Sequence, residues 1–243
     1  GEISVTDYQK ESIIRARKDR VVENLTKAFP GTSDLPFSRA VLMGSAAKGT
    51  IVRPIDDIDV LAIFSNANNA WTKYRGDSQA FLYRVRRAYD GLSTAQVGAR
   101  GQAVRIFFKN GGHVDVAPVF FHGNDVYGLP SGNGGWINTA PMVANAWFAK
   151  KHADLDYNLA PLVRLLGPMF ELARSRSAAG GDAAAENRAA LTVLTLFANG
   201  MGVGHVLPAA KSWPKPHHLN LQLAGRSDFP QHFLVSATLA AEG

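Results

Sequence analysis

Cysteine is absent from all 243 residues. That gap excludes disulfides, thiolate zinc sites and cysteine nucleophiles together, and it agrees with a reducing, cytoplasmic setting. No apolar run approaches the roughly 20 residues that a membrane span needs, so no membrane partner is expected. The first stretch, GEISVTDYQKESIIRARKDR, is polar and amphipathic and lacks the apolar centre of a signal peptide. No G-x-S-x-G elbow supports Ser/His/Asp chemistry, and His205, His217, His218 and His232 have no metal-site spacing. Acidic residues are in the minority: 26 Lys and Arg stand against 20 Asp and Glu, a net charge of +6. That balance favours anionic partners such as nucleotides or nucleic acid. Yet no basic stretch is interleaved with aromatics as a nucleic-acid groove would be; RARKDR (15–20) and RVRR (84–87) read as solvated helix faces.

What is present is an ordinary globular composition, 46% hydrophobic and 19% charged, long enough for one large domain or two small ones. Ile3, Ile13, Ile14, Val21, Val22, Leu25 and Phe29 recur near helical spacing and predict one long helix over 3–29. PGTSDLP (30–36) ends it, Val41–Met43 reads as a strand, and IDVLAIF (58–64) as a second strand. Residues 78–90 suggest an amphipathic helix. AVRIFF and HVDVAPVFF flank KNGG, and Asn-Gly between apolar alternations is a strong hairpin signal. LPSGNGGWINTAP reads as a Gly-rich loop. After it come three helical stretches without strands between them, a low-complexity connector at 177–185, and a proline-bearing tail that reads as irregular. The expected architecture is a mixed sheet lobe over 1–140, braced by the N-terminal helix, and a helical lobe over 141–243.

The chemistry lies in VLMGSAAKGTIVRPIDDIDVLAIF (41–64). Residues two apart on a strand share a face, so Asp57 and Asp59 point one way while Ile58 and Val60 enter the core. Asp115, between Val114 and Val116, repeats the device on another strand. If those strands are neighbours, three carboxylates converge, and oxygen-only clusters suit hard cations, Mg²⁺ above all. Two such ions (Mn²⁺ being the substitute) can activate a hydroxyl and stabilise a leaving pyrophosphate. Asp56 reads as a turn residue or a neighbour of the ligands, and a solvated strand end is the ordinary reading of D-x-D alone. The Gly44-Ser45 turn raises the stakes: a missing side chain lets backbone approach an anion, and Ser45 adds a hydroxyl. The P-loop spacing is absent.

Gly-Ser, a D-x-D strand and a later aspartate, in that order over 41–120, resemble the polymerase-β-type nucleotidyltransferase superfamily. YGLPSGNGGWINTAP running into the LVRLL helix is similar to the bacterial cGAS/DncV-like nucleotidyltransferases, the CD-NTases of antiphage signalling. The resemblance implies an α+β, polymerase-β-like fold and condensation of nucleoside triphosphates into a cyclic oligonucleotide, a cyclic dinucleotide in the first instance. It implies Asp57, Asp59 and Asp115 as catalytic metal ligands, with Asp115 taking the proton of the attacking hydroxyl. Gly44 and Ser45 would meet the triphosphate, and Trp136, Asn138 and Thr139 would lie in the loop closing the nucleotide pocket. For Trp136, packing in the core or between lobes is an equal reading. Protein partners implied are a regulator or an effector of the product; nucleic acid is not required.

The pattern breaks at LVRLLGPMF, where Gly167-Pro168 stands in place of an expected phosphate-binding lysine. Lys48, Arg164 and Lys211, the last followed by Ser212 in a nucleotide-lid role, are the candidate substitutes. Two other functions stay open from sequence: transfer to an RNA, protein or small-molecule acceptor, and a degenerate nucleotide-binding relative.

Overall fold

The computed structural model describes residues 4–90, 94–97, 101–154, 157, 159–198, 201, 202, 204, 208 and 211. The chain divides into two compact units, Gly1–Ala146 and Trp147–Gly243.

The first unit opens with a helical segment made of an α-turn (Asp7–Gln9), a π-helical stretch (Lys10–Arg15) and an α-helix (Ala16–Ala28). Thr6 starts it with a capping box: its hydroxyl accepts from the Gln9 N–H at 3.2 Å, and the Gln9 side chain accepts from the Thr6 N–H at 3.1 Å. Seven strands follow: β1 (Phe37–Leu42), β2 (Asp57–Phe64), β3 (Thr94–Val97), β4 (Val104–Phe107), β5 (His113–Gly123), β6 (Val126–Pro130) and β7 (Trp136–Thr139). Their order is β1-β2-β5-β4-β3, with β6 pairing the far half of β5 and β7 pairing β6. Among the described strands only β2 and β5 run parallel, in the register Asp59↔Asp115; the other pairings are antiparallel. The sheet is mixed, as expected.

The pleat divides the apolar residues between two cores. Ile58, Val60, Ala62 and Phe64 of β2 and Val114, Val116 and Phe120 of β5 pack with Ile14, Val21, Leu25 and Phe29 of the N-terminal helix, and with Phe81, Leu82 and Val85 of the helix Ser78–Arg86. Phe64 is the hub, meeting Phe29, Phe37 and Phe81 edge-on at ring separations of 5.3, 5.8 and 5.4 Å. Truncating such a residue to alanine costs about 3–5 kcal/mol. The opposite face is a smaller core of Leu61, Ile63, Val119 and Tyr127. Arg17, buried under the sheet, donates to the Gly111 carbonyl at 2.6 Å and so ties the helix to the β4–β5 turn.

In the second unit, helix Leu159–Ala178 runs unbroken through Gly167 and Pro168 and is followed by helix Ala183–Ala198. The link is shorter than the connector expected from composition. Gly180, at φ +100°, and Gly181, whose N–H returns to the Arg176 carbonyl at 3.0 Å, close the first helix. Asp182 caps the second by accepting from the Ala185 N–H at 2.7 Å. Arg176 and Glu186 pair across the turn at 2.8 Å. Among the described residues no helix is long and apolar enough to cross a membrane. Residues 212–243, Ser212 included, lie outside the described residues.

Candidate active site

The alternation that buries Ile58 and Val60 sends Asp57 and Asp59 to the face of the smaller core, ahead of Leu61 and Ile63. On β5 the same period places Asp115 with Ala117 and Val119 on that face. On β4, Val104 and Ile106 are buried on the other side, which leaves Arg105 beside Asp115. The register Arg105↔Asp115 and Asp115↔Asp59 sets the three side chains in a row across β4, β5 and β2. The strands are therefore the neighbours that the metal reading requires.

The row continues into the Gly-Ser turn. The Met43 N–H donates to the Asp59 carbonyl at 2.8 Å, bringing the end of β1 against β2. Gly44 follows at φ +57°, where a Cβ would stand 2.0 Å from Asp59 Oδ2 and 3.0 Å from its Cγ. Any side chain there collides with the carboxylate, so glycine is demanded twice, by backbone and by contact. Gly44–Lys48 then forms a short helix turn. The Ser45 carbonyl accepts from the Thr50 and Ile51 N–H groups at 2.9 and 3.2 Å, which fixes the turn.

Burial, then the charges of Asp57 and Asp115, hold the Asp59 carboxyl above the usual carboxylate range; His113 and Arg105 offset part of this. Asp115 is answered directly. Arg105 Nε donates to its Oδ1 at 2.8 Å and Nη2 to its Oδ2 at 2.7 Å, a bidentate fork. Among the described residues no three His, Asp or Glu side chains are drawn together as a ready cation cage. The three aspartates share one sheet face without converging on one point, since like charges separate and Asp115 turns to Arg105. As a donor set they still fit a hard cation: oxygen ligands on adjacent strands, with Asp59 carrying a charge its surroundings disfavour.

Asp56 is exposed in the connection before β2, where its carbonyl accepts from the His113 N–H at 2.7 Å, matching a turn residue. A cavity of about 680 Å³ opens beside it, lined by Gln9, Ile13, Arg17, Arg53 and Gly112 rather than by the acidic row. Trp136, Asn138 and Thr139 stand on strand β7, not in an open loop; Trp136, Ile137 and Thr139 are β-prone, but the glycine-rich approach obscured the strand. The Trp136 indole packs against Trp71, Phe81 and Phe120 and donates to the Arg75 carbonyl at 3.1 Å. Asn138 is exposed and Thr139 half-buried. Lys48 and Arg164 are half-buried, and Lys211 is exposed in a turn of the second unit. Gly167 is exposed on its helix, and a Cβ there would meet nothing within 4 Å. Sequence reasoning missed Arg105, although a lone arginine in the V-R-I-F strand, counted across the hairpin turn, falls opposite Asp115.

Residues 2–152 match the model of the Second Messenger Oligonucleotide or Dinucleotide Synthetase domain. The chain belongs to this family. Within the synthetase domain so defined lie Gly44, Asp57, Asp59, Arg105 and Asp115. A probable cyclic nucleotide synthase of Bacillus cereus is 24% identical over 179 residues, 60% of this chain and 52% of the relative. The cyclic AMP-AMP-AMP synthase of Escherichia coli is 30% identical over 115 residues, 47% of this chain and 36% of that protein. The chain thus spans about half the length, or less, of these curated relatives. Among solved structures, E. coli CdnC in complex with HORMA-deltaN aligns at 18% identity and a TM-score of 0.56, over 99% of this chain and 87% of CdnC. The CdnE cyclic dinucleotide synthase of Elizabethkingia meningoseptica aligns at 13% identity and 0.55, over 94% and 78%. The synthetase-family chain therefore has the CD-NTase fold, of the polymerase-β-like, α+β class.

Proposed function

We propose that this synthetase-family protein condenses nucleoside triphosphates into a cyclic oligonucleotide messenger, releasing pyrophosphate at each step, in an antiphage signalling role. The observation that carries the reading is the row Gly44–Asp59–Asp115: a glycine turn packed against one acidic strand, in register with a second. The names of the two curated relatives, both synthases of cyclic nucleotides, support it.

Asp57, Asp59 and Asp115 would hold two Mg²⁺ ions, or Mn²⁺ in their place. Bound there, the cations would lower the pKa of the attacking ribose hydroxyl and offset charge on the departing pyrophosphate. The chain's own groups do the rest. The Gly44 backbone, which packs against Asp59, would meet the triphosphate through its N–H side, and the Ser45 hydroxyl would donate to the phosphate oxygens. Lys48 adds positive charge from the same turn. Asp115 accepts the hydroxyl proton once Arg105 no longer occupies its oxygens. Thr139 on β7, whose register partner Tyr127 lies on the sheet face of the acidic row, would form the nucleotide side of the pocket, whereas Trp136 and Asn138 alternate to the opposite face. A regulatory protein or a product-sensing effector completes the proposal.

The test is pyrophosphate release from the purified protein with Mg²⁺ and all four nucleoside triphosphates. Release in the parent that vanishes in Asp57→Asn and Asp59→Asn supports the assignment; equal release in both variants overturns it.

A further inference from the structure

Three observations single out Arg105. Its fork occupies both oxygens of Asp115, at 2.8 and 2.7 Å. The fork adds little that the fold needs, because β4 and β5 are already paired at this register by their backbones, and part-exposed ion pairs contribute little to stability. And the arginine has somewhere to go: its side chain keeps 43% of its exposure, against 22% for Asp115. An arginine cannot shed its charge in a protein. A divalent cation taken up by Asp115 and its register partner Asp59 would then face a fixed positive charge on the same carboxylate. Two cations cannot share those oxygens without repulsion, and the solvent-facing one is free to swing.

We propose that Arg105 is a positioning residue that latches Asp115 and leaves it when a divalent cation binds. The inference rests on the metal reading of the acidic row. In the latched state the guanidinium compensates Asp115 and part of the field at Asp59. Uptake of the cation exchanges one positive partner for another and frees the arginine into solvent. Cation affinity is accordingly lower than the carboxylates alone would give, and the synthetase site is engaged only where metal, with its nucleotide, can outcompete the fork.

The experiment measures Mn²⁺ binding by electron paramagnetic resonance at fixed ionic strength, for the full chain and for Asp59→Asn, Arg105→Ala and Arg105→Lys. Asp59→Asn tests the metal reading alone and should weaken binding by about tenfold or more. Arg105→Ala should bind Mn²⁺ about two- to fivefold more tightly than the parent, the range that removing one part-exposed charged partner allows. Arg105→Lys, which keeps the charge but loses the fork, should fall between the two. A second readout uses the parent itself: titrating Mg²⁺ should move the Arg105 Nε–H resonance, identified by its loss in Arg105→Lys, towards the position of a solvent-exposed arginine. If Asp59→Asn loses Mn²⁺ while Arg105→Ala binds no more tightly than the parent, the latch is wrong and the metal site stands. An Arg105 resonance that stays put at saturating Mg²⁺ also overturns it. If Asp59→Asn binds as the parent does, the metal reading falls and takes the latch with it.

Discussion

Replacing Gly44 by alanine tests the closest approach in the site. The new Cβ would stand 2.0 Å from Asp59 Oδ2 and 3.0 Å from its Cγ, at a backbone φ of +57°. A left-handed L-residue costs about 1–2 kcal/mol. The Asp59 carboxylate, being the end of a short side chain, can turn away, at about 0.5–1.5 kcal/mol for leaving its rotamer. Together these predict a loss of about 1.5–3.5 kcal/mol, read by urea unfolding. The two parts separate in a double-mutant cycle. With Asp59→Ala the carboxylate is gone and only the Cβ at 3.4 Å remains, an ordinary contact. Gly44→Ala should then cost only the backbone part, leaving a coupling of about 0.5–1.5 kcal/mol between the sites. In the single variant Asp59 is displaced, so turnover should fall along with stability. A coupling indistinguishable from zero would refute the argument that Gly44 exists to admit Asp59.

Asp59→Asn should abolish turnover, a loss on the order of several kcal/mol of transition-state stabilisation, yet raise the thermal midpoint at pH 7. The sign follows from its folded pKa, which burial and two neighbouring carboxylates raise. Ionised Asp59 therefore costs stability at neutral pH. That cost is relieved as pH falls through the raised folded value, and relief is complete below the unfolded value of about 3.9. The variant's advantage should shrink accordingly on acidification, and a variant less stable than the parent at pH 7 would contradict it. Ser45→Ala should weaken triphosphate binding by about 1–3 kcal/mol in calorimetric titration; unchanged affinity would remove the hydroxyl from the cradle. Gly167→Lys should fold as the parent does, since space beside it is open. If the lysine function is truly missing, that substitution should raise nucleotide affinity, whereas Lys211→Ala should lower it if Lys211 is the substitute.

How much of this was legible follows from what periodicity encodes. Burial has period two on a strand, so Ile58 and Val60 declared their face and thereby the face of Asp57 and Asp59. Asn-Gly fixed the β4–β5 hairpin, and with it the neighbourhood of Asp115. The parallel pairing of β2 with β5 is another matter: it joins residues more than fifty positions apart, and no local pattern announces it. Arg105 is hidden for a related reason. Its meaning depends on a cross-strand register, and a charged residue alternating with apolar ones otherwise reads as an ordinary solvent-facing position. β7 went unseen because only three β-prone residues, Trp136, Ile137 and Thr139, follow a glycine-rich run, and its pairing with β6 is supplied by tertiary context. The demand for glycine at position 44 was anticipated for phosphate approach, whereas the group a side chain there would meet is the Asp59 carboxylate.

The most direct test of the central claim is product identity. Purified protein, Mg²⁺ and four labelled nucleoside triphosphates are incubated, treated with phosphatase, and the products resolved by chromatography and mass. The account predicts a phosphatase-resistant product with no free terminal phosphate and the mass of a cyclic oligonucleotide, absent with Asp57→Asn or Asp59→Asn. Label recovered only in phosphatase-sensitive linear chains, on the protein itself, or in unreacted triphosphate would contradict it.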